Sequence, residues 1–304
     1  HTDEYLGVAA DSGSTSMMWD PAKGVMLGHC YAFRVLAVGS DVVGFEVGDV
    51  AAGVGTITKP DGGFHVIGFS DTYPGGYSER MLVSTPGLLV KVPAGLDPVF
   101  ASFLEPLMVG EMSVRKAAIP DGAPAVVLGA GQVGLGMVTA LRRHGRRPIV
   151  VAEPSPKRRA LALASGADVA VDARSESWLD GVASTGSVLP PTVFDTTGIA
   201  GMLARLFVEA PPSTHIVEVS GQYSPDPIRT GLAVKKNLRI TFTAAFDPSA
   251  IGPMLAALAD GSIDVSGWIT DRVGIDDVPS AFERLRHPDE TVAIAVVPSL
   301  GGRQ

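Results

Sequence analysis

The sequence predicts an α/β protein in which a doubly wound parallel sheet is joined to a β-rich domain. Short apolar runs separated by turn clusters fill roughly the first hundred residues, and apolar strands that alternate with helices follow from Pro106. A glycine-rich turn lies where the first of those later strands meets its helix. Continuous apolar strands that alternate with helices are typical of a parallel sheet covered on both faces.

Composition limits the classes of function. The chain has 304 residues, 46% hydrophobic and 18% charged, which is enough for two domains with a large core. The net charge of −8 argues against a general binder of nucleic acid or of anionic membranes. No apolar run approaches the roughly 18–20 residues that span a bilayer, so we expect a soluble, cytoplasmic protein with neither partner.

The elements are predicted in chain order from hydrophobic spacing and turn residues. The β-rich part contains strands at 31–38, 81–83 and 88–92, and a helix over 107–118 opens the α/β part. The α/β part then contains strands at 125–128, 149–152, 169–171, 192–194, 215–219 and 240–243, with helices at 133–144, at 156–164 and around Leu203. The end of the chain is predicted to form helices at 248–258 and 281–285 and a strand at 292–297.

The glycine-rich turn is a candidate dinucleotide site. Residues 129–134 form Gly-x-Gly-x-x-Gly between an apolar strand and a helix, the context that this motif needs. The first glycine permits a tight turn, the second lets the backbone approach a pyrophosphate, and the third allows close helix–strand packing. We expect the diphosphate at the positive end of the helix, although such a turn can also serve packing alone. The candidate cofactor residues are Gly129, Gly131, Gln132, Val133 and Gly134.

An acidic residue at the end of the second strand bears on the choice of nicotinamide cofactor. Glu153 is placed to accept hydrogen bonds from the adenosine ribose and to repel a 2′-phosphate, which favours NAD over NADP. The following Lys157-Arg158-Arg159 is a counter-signal, since these cations could hold that phosphate or could simply be exposed at a helix start. Arg158 is taken as a further candidate cofactor residue.

With these motifs in place, the chain resembles the medium-chain dehydrogenases of the zinc alcohol and polyol dehydrogenase type over essentially its whole length. The matching stretches, in order, are Gly28-His29, 38–49, 75–79, 104–107, the glycine turn, 166–168, Asp195 with Thr197-Gly198, and Gly221. The resemblance implies a Rossmann cofactor domain at 107–245, inserted into a GroES-like β-barrel catalytic domain made of 1–106 and 246–304. It also implies Thr197 and Gly221 as cofactor residues and a homodimer or homotetramer.

The resemblance further implies one catalytic zinc in the full-length protein. His29 and Glu105 match two of the family's ligands, and the third, a cysteine, would stand immediately before His1. We therefore expect the N-terminus to be incomplete. Thr2 would match the hydroxyl residue that relays the alcohol proton, and His1 a residue near the cofactor pyrophosphate. Zinc would act as a Lewis acid that lowers the pKa of a bound alcohol, so that hydride passes to the nicotinamide.

Two departures from the family pattern concern cysteine. Cys30 stands where the family has Glu, and because neighbouring residues on a strand point to opposite faces, we expect a small buried thiol there and no bond to the His29 metal. It is the only cysteine, so no disulfide can form within the chain, and we expect no structural zinc. Without a metal, His29 would be a hydrogen-bonded core residue and Glu105 a helix cap.

The leading hypothesis is an NAD-dependent, zinc-dependent dehydrogenase that acts on a secondary alcohol, polyol or sugar. One alternative with the same fold is a zinc-free NAD(P)H quinone or enoyl reductase, in which hydride adds to an activated double bond. A third reading is a nucleotide-binding protein with no catalytic activity. In the first two cases the partner is a small alcohol or carbonyl compound.

Overall fold

The computed structural model describes residues 25–58, 64–70, 72–83, 87–220, 226–243, 247–286 and 289–300. These residues fall into two compact units. One contains 106–247 and 287–293, and the other contains the residues up to 105, then 248–286 and those from 294 onward. No described helix is long and apolar enough to cross a bilayer.

The unit that begins the described chain is built on an antiparallel sheet. Its strands are β1 (Cys30–Arg34), β2 (Val50–Thr58), β3 (Phe64–Val66) and β4 (Gly87–Lys91). The long strand β2 is central, because it pairs with each of the other three. Tyr31, Ile57 and Ile67 form a buried cluster against this sheet.

Two helices follow the antiparallel sheet. The short α1 (Pro98–Ala101) begins at a proline and is capped by Asp97, whose side chain accepts a hydrogen bond from the Val99 N–H. Proline suits a first helical position because its missing N–H would have no partner there. The longer α2 (Leu104–Ala117) follows, with Glu105 in its first turn. That position brings a carboxylate to the positive end of a helix, where negative charge is stabilised.

The other unit is a six-stranded parallel sheet with helices between its strands. The strands are β5 (Ala125–Leu128), β6 (Ile149–Ala152), β7 (Val169–Val171), β8 (Thr192–Asp195), β9 (His215–Glu218) and β10 (Arg239–Phe242). The connecting helices are α3 (Gln132–Arg143), α4 (Pro156–Ala164), α5 (Trp178–Ser184), α6 (Met202–Glu209) and α7 (Thr230–Lys236). The spatial order β10-β9-β8-β5-β6-β7 is that of the doubly wound dinucleotide-binding fold.

Burial explains why the sequence forms this sheet. Every residue of β5, β6 and β8 is buried, as strands covered on both faces require. Val126, Val150 and Val193 lie in a core that includes Trp178 from α5 and Phe207 from α6. The fold class that the sequence predicts is confirmed.

The end of the chain supplies α8 (Ile251–Ala259), β11 (Ile269–Val273), α9 (Val278–Leu285) and β12 (Ala293–Val296), with β11 and β12 paired. The predicted catalytic domain includes 246–304, and within that range the described residues 289–293 group with the parallel-sheet unit. The hydrogen bonds explain this, because Ser155 Oγ donates to the Asp289 carbonyl oxygen and Arg158 to that of Thr291. The domain assignment otherwise stays a prediction.

Some predicted elements differ from those observed. Residues 81–83 are not in a strand, and the strand predicted at 31–38 ends at Arg34. The sequence reading missed β2, in which Ala and Gly residues at 51–53 and 55 interrupt the β-branched ones. It also missed β3, β11, α5 and α7, which are short.

Candidate active site

Three potential metal ligands converge in the antiparallel unit. His29 lies just before β1, Cys30 is the first residue of that strand, and Glu105 comes from the first turn of α2. The Nε2 atom of His29 is 3.7 Å from Glu105 Oε1, and Cys30 Sγ is 3.5 Å from Glu105 Oε2. Within the described ranges, this is the one group of His, Cys, Asp or Glu side chains that could hold a metal ion.

Close backbone packing fixes the position of His29. Gly28, immediately before it, has φ +103°, which side-chain-bearing residues rarely adopt. A Cβ at Gly55, on β2, would lie 2.8 Å from His29 Cβ and 2.7 Å from its carbonyl oxygen. The imidazole ring is also tilted against Phe69, with 5.1 Å between ring centroids. Sequence reasoning did not find Gly55 as a site residue, because its role depends on a neighbouring strand.

The expectation that His29 and Cys30 point to opposite faces is wrong. Alternation holds only for residues that are both in an extended strand, and β1 begins at Cys30. His29 lies before the strand, after the left-handed Gly28. Its ring nitrogen and the Cys30 sulfur lie within 4.8 Å of each other.

The three groups also perturb one another electrostatically. Burial by itself lowers the pKa of His29, but the charges and hydrogen bonds of Cys30 and Glu105 outweigh it and raise the pKa well above its usual 6.5. Burial raises the pKa of the Cys30 thiol. Burial also opposes ionisation of Glu105, yet His29 holds the pKa of that carboxyl below its usual value. His29 and Glu105 therefore favour each other's charged forms.

The donor set fits a zinc ion. Imidazole nitrogen and carboxylate oxygen, supplied here by His29 and Glu105, are both common zinc ligands. The Glu105 side chain is 12% exposed and faces His29, which is the contact that a ligand role requires and a helix cap does not. The structure thus brings together the two metal ligands that the sequence predicts.

The glycine-rich turn has the geometry of a phosphate site. Gly129 has φ +89°, and a Cβ at Gly134 would lie 2.1 Å from the Gly129 carbonyl oxygen, so neither position accepts a side chain. A Cβ at Gly131 would meet no described atom within 4 Å, which leaves the backbone open there. Gly131 is the N-cap of α3, and no described side chain caps that helix. Gln132 and Val133 are partly exposed in its first turn.

The Glu153 carboxylate accepts hydrogen bonds from backbone N–H groups. It is 4% exposed, and it accepts hydrogen bonds from the Ala130 N–H at 2.7 Å and from the Ser155 N–H at 2.8 Å. One bond ties it to the glycine-rich turn and the other to the start of α4. Glu153 therefore joins the two turns at the ends of adjacent strands β5 and β6, a role that the sequence reading did not include.

The basic residues after Glu153 already have partners. Lys157 Nζ donates to the Glu290 carbonyl oxygen at 2.8 Å, and Arg158 donates to that of Thr291 through Nε and Nη2. Arg159 donates to the carbonyl oxygens of Glu153 and Pro154. Burial lowers the pKa of Arg158. The predicted role of Arg158 in cofactor binding stays a prediction.

Two threonines shape the end of β8. Thr197 donates to Asp195 Oδ1 from both its N–H and its hydroxyl, and burial raises the pKa of that aspartate. Thr196 Oγ1 donates to the Leu128 carbonyl oxygen at 2.7 Å and lies against Gly129. Thr196, which sequence reasoning missed, supports the glycine-rich turn from the neighbouring strand.

A cavity of about 130 Å³ opens beside Thr197, at the carboxyl ends of β8 and β9. Ligands of open α/β sheets bind at this edge. The lining residues are Asp195, Gly198, Ile199, Leu203, Glu218, Ser220, Asp226 and Phe242. Of the other predicted site residues, His1, Thr2 and Gly221 lie outside the described residues.

The chain is similar to known dehydrogenases over most of its length. It is 28% identical over 295 residues to (R,R)-butanediol dehydrogenase of Neisseria gonorrhoeae, covering 91% of this chain and 81% of that protein. It is also 28% identical over 290 residues to L-threonine 3-dehydrogenase of Enterobacter sp., covering 86% and 80%. No protein-family model matches the chain.

Solved structures agree on the fold. The 2R,3R-butanediol dehydrogenase of Bacillus subtilis superposes with a TM-score of 0.76 at 24% identity, over 90% of this chain and 81% of that one. Other structures of this fold carry either nicotinamide, since one from Escherichia coli is complexed with NADH and one from Sinorhizobium meliloti is bound to NADP.

A sheet in this strand order, with an open glycine-rich turn at its first helix, is the arrangement of a dinucleotide-binding domain. The chain is similar to the medium-chain dehydrogenases of the zinc alcohol and polyol dehydrogenase type, as its likeness to a butanediol dehydrogenase and a threonine 3-dehydrogenase indicates. The resemblance seen in the sequence and the enzyme class that it implies are thereby confirmed.

Proposed function

We propose that the chain catalyses NAD-dependent oxidation of a secondary alcohol at a single zinc site. The observation that carries this proposal is the 3.7 Å approach of His29 Nε2 to Glu105 Oε1, two zinc-type donors from distant parts of the sequence. The glycine-rich turn of the other unit supplies the cofactor site. The unit with the antiparallel sheet is then the catalytic domain, and 107–245 contains the cofactor domain.

Each residue has a chemical task in this reaction. His29 and Glu105 hold the metal, which when bound supplies a Lewis acid that lowers the pKa of an alcohol hydroxyl. Gly55 and Gly28 keep the His29 ring in place for that task. By the resemblance, Thr2 matches the residue that relays the alcohol proton, and His1 matches a residue near the cofactor pyrophosphate. The backbone N–H groups in the first turn of α3 bind the diphosphate. Thr197 and Gly221 also contact the cofactor.

The residues around Glu153 support a preference for NAD. A 2′-phosphate needs a cation to receive it, and Lys157, Arg158 and Arg159 donate to backbone carbonyl groups. A buried carboxylate at Glu153 repels such a phosphate. Since solved relatives carry either nicotinamide, the choice depends on these residues of the chain itself.

The substrate class follows from the relatives. Their names specify butane-2,3-diol and the 3-position of threonine, both secondary alcohols beside a second polar group. We propose a secondary alcohol, polyol or sugar with such a neighbouring group. A cytoplasmic location, a homodimer or homotetramer and the absence of a structural zinc remain part of the proposal.

Activity and metal content test the proposal together. The protein is loaded with zinc, and reduction of NAD or NADP is followed with butane-2,3-diol, threonine and a polyol such as galactitol. We expect NADH formation that is lost on chelation, restored by zinc and abolished in Glu105→Ala, whereas Glu79→Ala, an exposed acid in the same unit, retains it. Metal-independent reduction of a quinone or an enone would support the zinc-free reductase instead. Binding of NAD without any turnover would leave a non-catalytic nucleotide-binding protein.

A further inference from the structure

We propose that the thiolate of Cys30 is a third protein ligand of the metal held by His29 and Glu105. This inference rests on the proposed function, since it concerns the same metal site. It departs from the resemblance, which places the cysteine ligand immediately before His1 and a glutamate at position 30. The observation behind it is that the ligand atoms of all three side chains lie within 4.8 Å of one another.

The measured separations suit a shared zinc ion. Zinc binds nitrogen and oxygen at about 2.0–2.2 Å and sulfur at about 2.3 Å, so at one tetrahedral zinc a nitrogen and an oxygen ligand lie about 3.3–3.6 Å apart, and a sulfur and an oxygen ligand about 3.5–3.7 Å apart. Cys30 Sγ and Glu105 Oε2 are 3.5 Å apart, and His29 Nε2 and Glu105 Oε1 are 3.7 Å apart. The sulfur–oxygen distance falls within its range, and the nitrogen–oxygen distance exceeds its range by about 0.1 Å. A hydrogen bond between Cys30 and Glu105 would not by itself explain why the His29 ring nitrogen also lies close to Glu105.

The local backbone explains how adjacent residues reach one metal. His29 precedes β1 and Cys30 begins it, with Cys30 in register opposite Val54 of β2. Gly55 follows Val54 on β2. Because Gly55 has no side chain, the His29 backbone can lie against it. In this position the His29 ring nitrogen and the Cys30 sulfur lie within 4.8 Å of each other, and both are close to Glu105.

The three side chains also supply the ligand types and the ligand number of a catalytic zinc site. His29, Cys30 and Glu105 offer nitrogen, sulfur and oxygen, each a zinc ligand type, and three protein ligands leave the fourth position open for substrate, as catalytic zinc sites require. The thiolate and the carboxylate together balance the charge of a divalent ion. The metal would then be held entirely by residues that the structure describes.

Cobalt binding tests this directly, because a thiolate bound to Co²⁺ gives a charge-transfer band in the near ultraviolet that nitrogen and oxygen ligands do not give. Cys30 is the only cysteine in the 304 residues, so any such band in this chain reports on Cys30. We expect the band in the unaltered chain and its loss in Cys30→Ser, with zinc affinity lowered by at least about 10-fold. Tyr31→Phe, a change at the neighbouring position on β1, should keep both.

A second measurement needs no substitution. If Cys30 binds zinc, the metal should protect its thiol from alkylation by iodoacetamide, and chelation should restore the reaction. Equal alkylation rates with and without zinc would overturn the Cys30 ligand.

The outcomes separate the two proposals. If cobalt binds without a charge-transfer band, and His29→Gln and Glu105→Gln weaken that binding, the Cys30 ligand is overturned while the metal site stands. If neither cobalt nor zinc binds the unaltered chain, both proposals fall. If cobalt binds with the band but alcohols never reduce NAD, the Cys30 ligand stands and the proposed reaction is wrong.

Discussion

Gly55 lies directly against His29, so that a Cβ added to Gly55 would stand 2.8 Å from His29 Cβ. Real Cβ atoms do not approach so closely, and the obstructing atoms belong to backbone and Cβ, which cannot rotate away. Gly55→Ala should therefore displace His29 and lower zinc affinity by about 10-fold or more, as the loss of a supporting contact does at other zinc sites. Isothermal titration with zinc measures this.

The matched control for that change is Gly252→Ala. Gly252 lies in α8 of the same unit, and a Cβ there would meet no described atom within 4 Å. Alanine in a helix is better than glycine by about 0.5–1 kcal/mol, so this variant should be slightly more stable and bind zinc normally. If Gly55→Ala also binds zinc normally, the backbone contact does not position His29.

Local sequence rules identified the parallel-sheet unit well and the metal cluster only in part. Strands such as β5 and β6 are buried on both faces, so their apolar character shows in the sequence itself. The glycine-rich turn was found for a similar reason, since its spacing and flanking strand are local. His29 and Glu105 came from the resemblance, and no spacing rule links them.

The contacts that escaped prediction depend on neighbouring strands. Gly53 and Gly55 resemble turn residues by local rules, yet both lie in β2, where a Cβ on Gly53 would meet Leu89 at 2.7 Å. The orientation of Cys30 was predicted wrongly because the start of β1 decides whether alternation applies. The hydrogen bond from Thr196 to Leu128 likewise joins two strands far apart in sequence.

Glu153→Ala should lower both stability and the preference for NAD. The carboxylate accepts hydrogen bonds from the Ala130 and Ser155 N–H groups, and each buried donor left without a partner costs about 1–3 kcal/mol. We expect a lower midpoint in urea unfolding and a smaller ratio of kcat/KM for NAD to that for NADP. Glu153→Gln, which keeps one acceptor oxygen, should lose less stability. An unchanged cofactor ratio beside reduced stability would mean that Glu153 serves only the two turns.

Lys157→Ala should leave the cofactor preference unchanged. Its ammonium group donates to the Glu290 carbonyl oxygen, and surface contacts of this kind contribute little, so the ratio of kcat/KM for NAD to that for NADP should move by less than about 2-fold. The measurement is steady-state kinetics with both cofactors at constant ionic strength. A rise of about 10-fold in the KM for NADP alone would show that Lys157 binds the 2′-phosphate and would contradict the NAD assignment.

His215 should make the protein less stable in mild acid. It is 6% exposed at the start of β9, and burial, followed by the charge of Arg239, lowers its pKa from 6.5 to about 4. Because Arg239 donates to Nδ1 at 2.5 Å, the ring is neutral and its Nε2–H donates to Thr241. Between these two pKa values the unfolded chain binds more protons than the folded one. The free energy of unfolding is therefore highest above about pH 6.5 and falls toward pH 4, by up to about 3 kcal/mol from this residue.

Urea unfolding of the unaltered chain and of His215→Gln, at pH 7 and pH 5, measures that contribution. Glutamine stays neutral at both values, so the variant should lose less stability on acidification than the unaltered chain does. His215 and Arg239 begin adjacent parallel strands, at the edge opposite the carboxyl ends where ligands bind, so NAD-dependent activity at pH 7 should be unaffected. Equal losses of stability in both proteins would show that His215 is protonated alike in the folded and unfolded states.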